Sequence, residues 1–71
     1  MAHEIHAEMV ANVLNVVAQE GQTLAEGDTV VILESMKMEI PVLTEENGTL
    51  TKLAVKEGDV VQEHDLIAVV E

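Results

Sequence analysis

The chemistry of this chain concentrates in one stretch, Glu34-Ser35-Met36-Lys37-Met38-Glu39-Ile40-Pro41. A lysine stands between two methionines, and a glutamate lies on each side of the trio. Thr29 to Leu33, just upstream, is rich in β-branched residues and reads as a strand; Met38 to Leu43 reads as the next. The segment joining them is too short for anything but a tight hairpin turn, yet it lacks the Asn-Gly or Asp-Gly pair that such turns favour. Two flexible apolar side chains at an exposed bend are unfavourable for solubility, so Met36 and Met38 read as a surface that something recognises. A lysine at a hairpin tip is by default a solubilising residue, and the methionine frame is what separates Lys37 from that default. Strand alternation allows one methionine to turn inward as core, and at least one is expected to be exposed. Glu34 and Glu39 either orient the tip for a partner or form an ordinary solvated face.

No other grouping competes. Lys52 and Lys56 lie in or beside a strand without the methionine frame and read as structural. His3, His6 and His64 make no credible metal site: His3 and His6 sit near a chain end expected to be mobile, with no third ligand fixed beside them. There is no cysteine, hence no thiolate ligand, disulfide or sign of an oxidising compartment. No Ser/His/Asp set is framed by an oxyanion turn, and no glycine-rich loop could hold phosphate. Catalysis by the chain alone is not expected.

The elements that must position the lysine are those of one small domain, spanning residues 1–71, near the size where a single core is only just sufficient. With no Phe, Trp or Tyr, the core must be built from Val, Leu and Ile, which favours strands. Fourteen acidic residues against three lysines give a net charge of −11. That surface repels phosphate backbones and anionic membranes, so neither nucleic acid nor membrane is an expected partner. It suits solubility and fast encounter with a basic partner surface. No apolar run reaches transmembrane length, and Met1-Ala2-His3-Glu4 shows no basic region ahead of an apolar one, so a cytoplasmic protein is expected.

In chain order, His3 to Met9 fits a short first strand and Val10 to Ala18 a better one, ended by Gln19-Glu20-Gly21-Gln22. Leu24 stands alone before Glu26-Gly27-Asp28 turns the chain into Thr29 to Leu33. Past the central hairpin, Thr44-Glu45-Glu46-Asn47-Gly48 carries an Asn-Gly pair, a hairpin signal. Thr49 to Val55, Val60-Val61 and Leu66 to Val70 are the remaining strands. A shift of 37 positions lays Val13–Glu34 over Leu50–Glu71, with Glu20/Glu57, Gly21/Gly58, Glu26/Glu63, Asp28/Asp65 and Glu34/Glu71 identical. The apolar pairs Val13/Leu50, Val16/Leu53, Leu24/Val61, Val30/Ile67, Ile32/Val69 and Leu33/Val70 track as well. Two such units can bury one face each against the other, giving an all-β flattened sandwich of two antiparallel sheets with internal pseudo-two-fold symmetry. Under the same shift Lys37 falls just outside the chain at either end, so the central hairpin answers the gap between the termini. The lysine should then project from one end of the sandwich, and the termini should meet at the other.

These residues carry a resemblance. Glu34-Ser35-Met36-Lys37-Met38-Glu39 is similar to the attachment motif of biotinyl domains, whose core is Met-Lys-Met on a hairpin. Asn47-Gly48-Thr49-Leu50 and Glu57-Gly58-Asp59-Val60-Val61 resemble segments that follow it in those domains. The resemblance spans roughly Met9 to Glu71 and is closest to short stand-alone biotinyl/lipoyl attachment proteins; it extends to the carrier domain of acyl-CoA carboxylases. Ala11 stands where a glycine is usual, Glu8 lies where proline is common, and Gly27 is answered by His64. No insertion suggests the protruding thumb of some bacterial carriers.

The resemblance implies a biotin carboxyl carrier, itself non-catalytic, with Lys37 as the covalent attachment site for biotin. A biotin protein ligase would read Met36 and Met38, with Glu34 and Glu39 flanking. The lysine ε-amine is a compact nucleophile on a long stem, and in its neutral form would attack biotinyl-adenylate to form an amide. The biotin arm would then carry carboxylate between the biotin carboxylase and carboxyltransferase of a biotin-dependent carboxylase, the carrier being monomeric on its own. Two alternatives stand beside it. A lipoyl carrier shares the fold, although its lysine context is usually Asp-Lys-Ala-like, and an unmodified interaction module could use the methionine hairpin directly.

Overall fold

The computed structural model describes residues 2–71. Eight strands form: β1 (His3–His6), β2 (Ala11–Val16), β3 (Thr23–Leu24), β4 (Thr29–Ser35), β5 (Met38–Leu43), β6 (Gly48–Leu53), β7 (Val60–Val61) and β8 (Leu66–Val70). They make two four-stranded sheets, ordered β1-β8-β6-β3 and β5-β4-β2-β7, in which every pairing is antiparallel. The 37-residue shift converts one sheet order into the other, strand for strand. All-β architecture and the two-fold relation both follow the sequence reading.

The symmetry reaches individual hydrogen bonds. Val13 N–H donates to the Asp59 carbonyl at 2.8 Å, and its counterpart Leu50 N–H donates to the Gln22 carbonyl at 2.9 Å. Gly21 N–H reaches the Leu50 carbonyl at 2.7 Å, answered by Gly58 N–H to the Val13 carbonyl at 2.9 Å. The register breaks between Val13 and Asn15 on β2 and between Leu50 and Lys52 on β6, leaving Leu14 and Thr51 as matching extra residues. Matching breaks on the partner strands bulge out Val30 and Ile67, both of which are fully buried. A bulge bends its strand and increases its twist, which lets each short sheet curl over the other. The hydrophobic core is aliphatic, centred on Val30, Val31, Leu50, Ile67 and Val70, and Thr44 is buried as well.

Some boundaries differ from expectation. β1 stops at His6 and β6 at Leu53, earlier than their apolar residues suggest, because the chain there leaves one sheet for the other. Close to the end expected to be mobile, His3–His6 form β1 and pair with β8 from His3↔Val70 onward. Leu24 belongs to the two-residue strand β3, paired with β6. The Asn47-Gly48 segment does not form a hairpin: β5 and β6 lie in different sheets. Asn47 instead uses its Oδ1 to accept the Glu26 N–H at 2.7 Å. Gly48 is there for space, because a Cβ at that position would lie 2.5 Å from the Glu71 carbonyl oxygen.

Candidate functional site

The β4–β5 hairpin closes at the pair Ser35↔Met38, leaving Met36 and Lys37 as its two loop residues. Both have positive φ, 53° and 65°. That is the requirement of a type I′ turn, the form whose twist matches the strands it joins. Asparagine and glycine enter this region readily; methionine and lysine do so at a cost of roughly 1 kcal/mol or more each. The turn geometry is therefore adopted without the residues that favour it, and the surrounding strand ladder holds the strained pair in place.

This backbone throws the side chains outward. Met36 is 91% exposed and Met38 63%, so both methionines are presented and neither serves as core. Lys37 is exposed between them. The ion pairs among the described residues all belong to histidines, so no carboxylate of the chain engages the Lys37 amine. The gap between β8 and β1 occupies the symmetry-related place, where His3↔Val70 parallels Ile40↔Leu33 of the hairpin.

Register brings together residues that the sequence leaves apart. Glu34 lies directly opposite Glu39, one rung below the tip. On its other side Glu34 faces Asn12, which in turn faces Val60. Like charges directly opposite one another destabilise a sheet by a few tenths of a kcal/mol. Glu34 and Glu39 are thus neighbours in an uncompensated pair. Asn12 and Val60 extend that row, and nothing local in the sequence marks them, because cross-sheet register is set by distant pairings.

The other candidates fall elsewhere. A groove of about 780 Å³ runs between the edge strands β1 and β5, with Ile5, Leu33, Ile40 and Val42 in its wall, and Lys37 does not border it. His3, His6 and His64 border this groove, but among the described residues no three His, Cys, Asp or Glu side chains are placed to hold a metal. His6 spans the His64 carbonyl at 2.8 Å through Nδ1 and the Glu4 carboxylate at 2.9 Å through Nε2. Both partners are acceptors, so the doubly protonated ring suits them best. The backbone bond to His64, then the Glu4 contact, raise the His6 pKa above 6.5.

No helix among the described residues is long and apolar enough to cross a membrane. The site is an exposed primary amine on a strained turn, unpaired with the Glu34 and Glu39 carboxylates one rung below it. It can be acylated by a partner and can carry what it receives.

Comparison with known proteins agrees in family. Residues 3–70 match the family described as "Biotin-requiring enzyme", the biotin/lipoyl group. A "Biotinylated protein TB7.3 homolog" from Mycobacterium leprae is 54% identical over 70 residues, covering 99% of both chains. The alpha3 subunit of a biotin-dependent acyl-coenzyme A carboxylase from the same organism is 42% identical over 64 residues, which are 90% of this chain and 11% of that one. Among solved structures, Kluyveromyces lactis urea carboxylase superposes with a TM-score of 0.94 at 34% identity, covering 100% of this chain and 6% of that one.

Proposed function

The chain belongs to the biotin/lipoyl attachment family, matched over residues 3–70, and from that premise we propose that it is a biotin carboxyl carrier loaded on Lys37. The observation that carries this reading is the hairpin tip: an exposed amine in a strained two-residue turn, framed by two exposed methionines. The relatives whose names specify biotin support biotin over lipoic acid as the load.

A biotin protein ligase docks on Met36 and Met38 and presents biotinyl-adenylate to the Lys37 amine. The neutral amine attacks the acyl carbon, AMP leaves, and the amine proton passes to a base supplied by the ligase. The chain's own contribution is presentation. A rigid turn holds the base of the arm away from the sandwich, and tethering gives the bound biotin an effective concentration on the order of millimolar at each active site in reach. Biotin carboxylase and carboxyltransferase partners then load and unload carboxylate. An acidic surface of net charge −11 favours encounter with basic faces on those partners.

Co-expression with a biotin protein ligase, followed by intact-mass measurement and peptide mapping, tests the assignment. One biotin on Lys37 is expected. Lys37→Ala and Lys37→Arg should carry none, while melting within about 4 °C of the parent, since a tip side chain contributes little packing. An adduct on Lys52 or Lys56 would overturn the site, and the mass of lipoic acid would overturn the load.

A further inference from the structure

The strands at the sheet edges are β1 and β3 in one sheet, β5 and β7 in the other. An edge strand carries backbone N–H and C=O groups with no partner on one side, and folds guard such edges against stray pairing. β3 and β7 are guarded by length, being two residues each. β5 carries Pro41, which takes a donor out of its ladder. β1, His3-Glu4-Ile5-His6, has neither device.

β1 also borders the groove of about 780 Å³ that separates it from β5. The wall is apolar on both sides: Ile5 comes from β1, and Leu33, Ile40 and Val42 come from the facing sheet. The rim is acidic. Glu4, Glu8, Glu26, Glu45 and Glu63 border the groove and are all exposed, and none of the chain's three lysines borders it. Among the described residues its basic groups are histidines, each already beside a carboxylate: His3 is 4.0 Å from Glu45, His6 2.9 Å from Glu4 and His64 3.9 Å from Glu63.

We infer that this groove docks an extended basic segment of a partner protein, which adds to β1 as a further strand. Side chains alternate along a strand, so one face of the segment lays aliphatic residues on Ile5, Ile40 and Val42. Lysine or arginine on the other face reaches the rim carboxylates. A segment of about four to six residues matches the length of β1. A second copy of the chain does not fit, because it brings an acidic rim and a net charge of −11 against the same. The exposed Glu4 thus guards the edge against its own kind and leaves it open to a basic strand. Docking here stands apart from the reading of Lys37. That lysine does not border the groove, so a docked carrier keeps its hairpin free for loading and transfer.

The test titrates isotope-labelled, unloaded protein with a capped Lys-Val-Lys-Val-Lys-Val peptide in low salt and follows the backbone amides by NMR. Shifts are expected along β1 and at Ile40 and Val42, with affinity falling as salt is added. The same peptide with N-methylated valines cannot complete the ladder and should bind about tenfold more weakly. The double reversal Glu45→Lys with Glu63→Lys should also weaken binding about tenfold, while melting within about 4 °C of the parent. Lys37→Arg should bind as the parent does. Equal affinity for a Glu-Val-Glu-Val-Glu-Val peptide, for the methylated peptide or by the reversed variant would overturn the inference. Shifts confined to another face would overturn it too. Shifts in the groove that grow with protein concentration alone would give it to a second copy, and the basic occupant would fall. A peptide that fails to bind leaves biotin loading of Lys37 untouched, and a protein that fails to load leaves the docking result untouched, so the two failures are distinguishable.

Discussion

At the scale of single residues, the structure spends stability where it presents the amine. Met36 and Lys37 both occupy the left-handed region that asparagine and glycine enter without strain. The double replacement Met36→Asn with Lys37→Gly is therefore expected to stabilise the domain by roughly 1–2 kcal/mol while eliminating biotin loading. Denaturant unfolding and streptavidin blotting of the co-expressed variant measure the two effects. A second strained residue, His64 at φ 79°, stands where the other half has Gly27 at 93°. Its carbonyl, which receives the His6 ring, is backbone and survives substitution. His64→Gly is expected to raise stability by up to about 1 kcal/mol, because relief of strain outweighs the added freedom of the unfolded chain. A fall in the unfolding midpoint would show that the imidazole itself holds the turn.

At the scale of elements, short strands are held by side chains that close the turns. Asp28, Asp59 and Asp65 each accept the backbone N–H three residues earlier, at 2.9, 3.0 and 2.8 Å, and Gln22 does the same for Gln19 at 3.1 Å. The Glu20 carboxylate accepts Leu53 N–H at 2.8 Å, and Glu57 accepts Val16 N–H at 3.2 Å, so each half clasps the other. These bonds explain why two of the acidic pairs, Glu20/Glu57 and Asp28/Asp65, recur in both units: they satisfy backbone donors where the sheets end. The His6 contacts tie β1 to the turn before β8 and make that junction pH-dependent. Because the folded-state pKa is raised, protonation favours the fold. The contribution is complete below about pH 6.5, the unfolded value, and is lost as pH rises through the higher folded value. Melting curves of the parent and His6→Gln should accordingly lie furthest apart in mild acid and converge in the alkaline range. A constant separation would remove the ring's charge from the account.

At the scale of the whole molecule, two similar units close around one core, and the most deeply buried positions are themselves symmetry partners. Val30 and Ile67 are both fully buried on bulges of the central strands. Aspartate at either place would bury an uncompensated charge, and neither Val30→Asp nor Ile67→Asp is expected to fold. Circular dichroism and proton NMR dispersion would register the loss, and a soluble, dispersed spectrum from either variant would refute the shared core. The same symmetry gives the hairpin a counterpart in the other half. That place is the end of the β1–β8 ladder, where His3 pairs with Val70 as Ile40 pairs with Leu33 beside the hairpin.

Much of this was legible without coordinates because it depends on local or repeated features. The absence of aromatics, the β-branched runs and the 37-residue recurrence specify an aliphatic sandwich of two matched halves. The spacing of Met36, Lys37 and Met38 in the shortest turn marks the presented amine. Tertiary structure decided what depends on distant pairings. It set Glu34 against Glu39, sent Asn47-Gly48 across the sheets instead of back along one, and ordered β1 by giving it β8 as a partner. It also held Met36 and Lys37 in a backbone conformation that their own chemistry disfavours. Local propensity records only what a residue prefers alone; the ladder on either side of the tip supplies the free energy that overrides it.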